Sequence, residues 1–73
     1  MDLAAFRAFQ EIAYRQAGIH LREGKAALVQ ARLAKRLREL GLRSEEEYLG
    51  RLRGSGAREE IVLFLDAIST NFT

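Results

Sequence analysis

Seven of the chain's 12 Lys and Arg residues lie between Arg22 and Arg43, with only Glu23 and Glu39 against them, a local net charge of +5. Residues 1–21 sum to zero and residues 44–73 to −3. The charge is therefore gathered on one segment, and such a patch normally meets something acidic. Lys25, Arg32, Lys35, Arg36 and Arg38 are its binding candidates. Arg32 and Arg36 stand four apart, so on a helix one lies above the other and they repel by a few tenths of a kcal/mol. No acid on the same stripe is expected to relieve them. Read as surface residues, their joint replacement by Ala is expected to change stability by less than about 0.5 kcal/mol.

Other chemistry-bearing residues assemble less well. His20 is the one histidine and has no companion at metal-ligand spacing. With no cysteine, disulfides and thiolate metal sites are excluded. No Ser/His/Asp or Cys/His set can be formed, so no catalytic residue and no metal site is assigned. Gly54-Ser55-Gly56 contains G-x-G but follows no strand, which argues against a phosphate cradle. Glu45, Glu46 and Glu47 are consecutive and point in different directions on a helix, so capping explains them better than metal binding. Tyr14 and Tyr48 are expected to be half-buried. Ser69-Thr70-Asn71-Phe72-Thr73 ends the chain in short hydroxyl and amide side chains, read either as a frayed end or as a polar contact to a ligand or further domain.

The elements that must position these residues are helical. There is no proline and period-3.6 patterns dominate. The first helix is expected from about Leu3 to Gln16, with Asp2 as N-cap, Leu3, Phe6, Phe9 or Gln10, and Ala13 inward, and Gly18 as its stop. The second runs from Gly24 or Lys25 to Leu40. On a wheel of about 100° per residue, Ala26, Val29, Leu33, Leu37 and Leu40 share one face. Lys25, Arg32 and Arg36 form a stripe at its edge, with Lys35 and Arg38 farther round. Gly41 suits a left-handed C-cap with Leu42 as the following apolar contact. The third helix, Glu45 to Arg53, opens with a Ser44-x-x-Glu47 capping box, and Tyr48, Leu49 and Leu52 point inward. After a Gly54–Gly56 loop, the fourth runs from Ala57 to Ser69 and buries Ile61, Phe64, Leu65 and Ile68.

Seventy-three residues of 48% hydrophobic and 30% charged composition make one small globular unit. The expected fold is all-α, a single four-helix domain over residues 1–73. No apolar run reaches the roughly 20 residues that cross a bilayer, and the N-terminus does not read as a secretory signal. A cytoplasmic location without membrane insertion is the expectation.

In order and spacing, Gly18-Ile19-x-Leu21, Lys25, Arg32-Leu33-x-x-Arg36-Leu37-Arg38-x-Leu40-Gly41-Leu42, Tyr48-Leu49-x-x-Leu52 and Thr70-Asn71-x-Thr73 resemble the N-terminal helical domain of CheR-type chemotaxis methyltransferases. The resemblance covers essentially the whole chain. It implies a domain that precedes a larger α/β domain binding S-adenosyl-L-methionine, in an enzyme that methylates glutamates on chemoreceptor cytoplasmic helices. It implies that Lys25, Arg32, Lys35, Arg36 and Arg38 face the acidic receptor region and that Asn71 and Thr73 reach the cofactor. Ser69 departs from the family's longer hydroxyl run, and Lys35 stands where arginine is frequent. The family's Phe-Phe-Arg segment and catalytic domain lie outside these residues, so the 73-residue chain alone is expected to be inactive. Two rival readings are a free-standing receptor-binding adaptor and a small nucleic-acid-binding module. Helix, Gly41, helix resembles a helix-turn-helix, but the second helix opens on three glutamates that phosphates would repel.

Overall fold

The computed structural model describes residues 2–69. Four α-helices follow one another: α1 (Leu3–Ala17), α2 (Ala26–Leu40), α3 (Glu45–Arg53) and α4 (Arg58–Ser69). The described residues contain no strand, in agreement with an all-α, four-helix domain.

Each boundary has a local cause. Asp2 holds the extended N-cap backbone of α1, and its carbonyl accepts from the Phe6 N–H at 3.0 Å, but its side chain makes no capping bond. Gly18 closes α1 in the left-handed region at φ 67°, donating to the Tyr14 carbonyl at 2.8 Å. Leu21 is buried in the connector that follows, and Gln10 Nε2 donates to its carbonyl at 2.6 Å, tying α1 to it. The α2 helix starts at the first residue of its apolar face, one or two residues after the expected Gly24 or Lys25. Glu23–Lys25 form a 3₁₀ turn and the α-helix begins at Ala26, a tightening that is common at helix N-termini. At its other end Gly41 has φ 71°, with Leu42 N–H bonded to the Leu37 carbonyl at 2.9 Å and Gly41 N–H to that of Arg38 at 3.2 Å. This paired closure is a Schellman motif.

The α3 helix matches its expected limits. Ser44 Oγ accepts from the Glu47 N–H at 3.2 Å. The Glu47 carboxylate reaches one residue past the expected Ser44 and accepts from the Arg43 N–H at 3.1 Å. In α4 the Ala57 carbonyl accepts the first helical bond, from Ile61 at 2.9 Å, so Ala57 is the N-cap and the helix proper begins at Arg58.

Phe6, Phe9 and Ala13 of α1, Val29, Leu33 and Leu37 of α2, Tyr48, Leu49 and Leu52 of α3, and Phe64 and Ile68 of α4 form one core. At its centre the rings of Phe9, Tyr48 and Phe64 meet, with centroids 5.7–6.3 Å apart. Such tilted and edge-on pairs add to plain area burial. Three expectations need correction. Leu3 is exposed, because α1 enters the core only from Ala5 onward. Tyr48 is fully buried, at 0% exposure, and Tyr14 is largely exposed. The difference follows position: Tyr48 faces the aromatic centre, whereas Tyr14 lies on the outer side of the last turns of α1.

Candidate functional site

The α2 helix packs most extensively on α4, and this seam separates the five candidate cations. Lys25, Lys35 and Arg38 are exposed, while Arg32 and Arg36 are partly buried at the seam. Among the described residues no acid pairs with Lys25, Lys35 or Arg38.

Arg36 is engaged on the protein's own carboxylates, contrary to the expectation of a stripe without acids. Its Nε donates to Glu60 Oε2 at 2.9 Å and its Nη2 to Glu60 Oε1 at 2.7 Å. Its Nη1 donates to Glu39 Oε1 at 3.2 Å. The Glu60 contact is a two-bonded fork, the geometry in which guanidinium and carboxylate attract most strongly. Tyr48 completes the cluster, donating its hydroxyl to Glu60 Oε2 at 2.6 Å. The Glu60 side chain is 10% exposed and that of Arg36 20%. The bond from Arg36 holds the Glu60 carboxyl below its usual range, outweighing the opposing effect of burial, and the Tyr48 bond acts in the same direction. Burial, helped by the bond to Glu60, pushes the Tyr48 phenol well above its ordinary value. The fork to Glu60 keeps Arg36 charged.

Arg32 Nη1 donates to the Ala67 carbonyl in the last turn of α4 at 3.3 Å. A cation there suits the negative end of the helix dipole. Between the helices, Arg32, Lys35, Arg36, Glu39, Leu63, Asp66 and Ala67 line an open groove of about 240 Å³.

Glu60 was missed by reading charge as surface. The available signal was its register: Glu60, Phe64 and Ile68 recur four apart, which puts the carboxylate on the buried stripe of α4. Glu39, three residues after Arg36, was available by the same spacing argument. His20 is exposed, and no His, Cys, Asp or Glu cluster among the described residues could hold a metal ion. No described helix is long and apolar enough to cross a membrane. Asn71 and Thr73, assigned to the cofactor by resemblance, lie outside the described residues.

Fold and site define an all-α domain whose polar chemistry is gathered along one helix and its seam. Residues 4–69 match the family described as the CheR methyltransferase all-alpha domain, and the chain belongs to that family. It is 43% identical over 68 residues to chemotaxis protein methyltransferase 2 of Pseudomonas aeruginosa, covering 93% of this chain and 24% of that protein. It is 37% identical over 70 residues to the chemotaxis protein methyltransferase of Escherichia coli, covering 96% and 24%. A probable chemotaxis protein methyltransferase of Rhizobium etli is 44% identical over 63 residues, covering 82% and 22%. The chain thus spans about a quarter of the length of the curated relatives it matches. No solved structure matches it significantly.

Proposed function

We propose that this chain is the N-terminal, receptor-facing domain of an S-adenosyl-L-methionine-dependent protein-glutamate O-methyltransferase acting on chemoreceptors. The supporting observation is the family match across residues 4–69 together with exposed cations on and beside α2 that no acid of the described residues neutralises. Lys35 and Arg38, with Lys25 ahead of the helix, meet carboxylates on the receptor's cytoplasmic helices. Arg32 contributes from the groove. Arg36 acts chiefly inside the domain, because Glu60 and Glu39 occupy its guanidinium. Methyl transfer itself belongs to the α/β domain expected in the parent enzyme, with Asn71 and Thr73 leading toward its cofactor.

The test is binding of the 73-residue chain to a purified chemoreceptor cytoplasmic fragment, with duplex DNA of equal length as competitor. Binding to the receptor fragment that weakens with salt, and is lost in Lys35→Glu/Arg38→Glu, supports the reading. Binding to DNA alone would replace it with the nucleic-acid module. The exposed Glu46 and Glu47 in the first turn of α3 oppose that outcome.

A further inference from the structure

The seam is fastened at two separated points. Arg32 bonds the Ala67 carbonyl near the end of α4, and Arg36, one turn later in α2, bonds Glu60 near the start of α4. The two helices therefore run antiparallel and are pinned along the length of their contact. The exposed face of α2 carries Lys35 and Arg38, while α4 ends at Ser69, two residues before Asn71. Whatever fixes this seam fixes the basic face relative to the point where the chain leaves the domain.

Glu60 is itself held by three hydrogen bonds from two residues. Arg36 takes both of its oxygens, and Tyr48 donates to one of them at 2.6 Å. Tyr48 has little freedom to move, since its ring is packed against Phe9 and Phe64. The carboxylate lies on the rigid aromatic centre on one side and grips α2 on the other. A single apolar residue at position 60 could fill the space but could not set the angle of a guanidinium.

We propose that Glu60 is a positioning residue for receptor methylation: held by Tyr48, it fixes through Arg36 where the Lys35–Arg38 face of α2 sits relative to the end of α4. This rests on the receptor-methylating function proposed above. It makes a prediction opposite to direct contact. If Arg36 touched the receptor, Glu60→Gln would release its charge and leave receptor use unchanged or better. If Glu60 positions α2, the same variant impairs it.

Two measurements test this. In the full-length methyltransferase, initial rates with a receptor cytoplasmic fragment and labelled S-adenosyl-L-methionine are taken well below each variant's Tm. Glu60→Gln and Arg36→Lys, which keeps the charge but loses the fork, should each raise the receptor KM about fivefold or more, since small misplacements are costly. Tyr48→Phe should shift it in the same direction by less. Leu52→Val, a core truncation one turn from Tyr48 that replaces no member of the Arg36–Glu60–Tyr48 cluster, should lower Tm and leave receptor KM near wild type. An unchanged receptor KM in Glu60→Gln, or an equal rise in Leu52→Val, overturns the inference. A wild-type enzyme that methylates no receptor fragment overturns the proposed function instead. The geometry is then read separately in the 73-residue chain, which has no native cysteine. Spin labels at Ala31→Cys and Val62→Cys should give one narrow distance distribution that broadens with Glu60→Gln. A distribution that stays narrow removes the positioning role whatever the activity.

Discussion

Arg36 of α2 and Glu60 of α4 are joined by two hydrogen bonds of 2.9 and 2.7 Å across the seam between the helices. A residue that reads in sequence as part of a solvated cationic stripe is thereby a structural member of the domain. Breaking a buried pair on one side typically costs about 3–5 kcal/mol, because the other charge is left without its partner. Here the 20% exposure of Arg36 reduces that penalty. Arg36→Ala is expected to cost about 2–3 kcal/mol in urea unfolding, well above the 0.5 kcal/mol or less of an ordinary surface change. A double-mutant cycle with Glu60→Gln should return a coupling on the order of 1 kcal/mol or more. Additive effects would show that the fork contributes nothing.

Acid stability should also depend on Glu60. Its carboxyl is held below the usual range in the folded protein, so its contribution is fully present above the unfolded value of about 4.3. It is lost as pH falls through the depressed folded value. Thermal melts between neutrality and strong acid should show a decline in Tm that is shallower in Glu60→Gln, which has no such proton to bind.

At the alkaline end the sign reverses. Tyr48 is held protonated in the folded chain above its ordinary value. Its contribution is present below about pH 10, the unfolded value, and falls as pH rises from there toward the raised folded value. Tyr48→Phe should flatten this alkaline decline while costing roughly 1 kcal/mol at neutral pH for the lost hydroxyl bond. An unaltered alkaline limb would contradict the assignment.

Leu33 is fully buried against the other helices. Leu33→Ala should cost roughly 2–5 kcal/mol, a large share of the stability of so small a domain, and is measured by chemical denaturation. Gly41→Ala tests a different term. Its φ of 71° is unfavourable for any side chain, although the space around it is open. A loss of about 1–2 kcal/mol is expected from backbone strain alone.

Most of the fold was legible because its signals are local. Gly18 and Gly41 terminate helices by adopting a conformation that other residues resist, and Ser44 satisfies an N–H three residues on. The core stripe of α2 emerged from spacing alone, as did the inward set Tyr48, Leu49 and Leu52. What escaped the sequence is long-range. Arg36 and Glu60 are 24 residues apart, and nothing in either helix states that their edges will meet. The start of α2 escaped for another reason: Glu23-Gly24-Lys25 places no side chain in the core, so the apolar period does not distinguish a 3₁₀ turn from an α turn there. The division of the cations into exposed Lys25, Lys35 and Arg38 and seam-bound Arg32 and Arg36 required knowing where α4 lies.

On the proposed function, Lys35 and Arg38 on the exposed face of α2 recognise an acidic receptor surface. Methylation of a chemoreceptor cytoplasmic fragment by the full-length enzyme, with Lys35→Glu/Arg38→Glu compared against wild type at low salt, tests it most directly. In the charge-reversed enzyme kcat/KM for the receptor should fall on the order of tenfold or more, since like charges at an interface cost several kcal/mol, while Tm stays within a few degrees. Added salt should also reduce the wild-type rate as exposed charges are screened beyond about 10 Å. A charge-reversed enzyme that methylates the receptor as well as wild type, at every salt concentration, would contradict the proposed function.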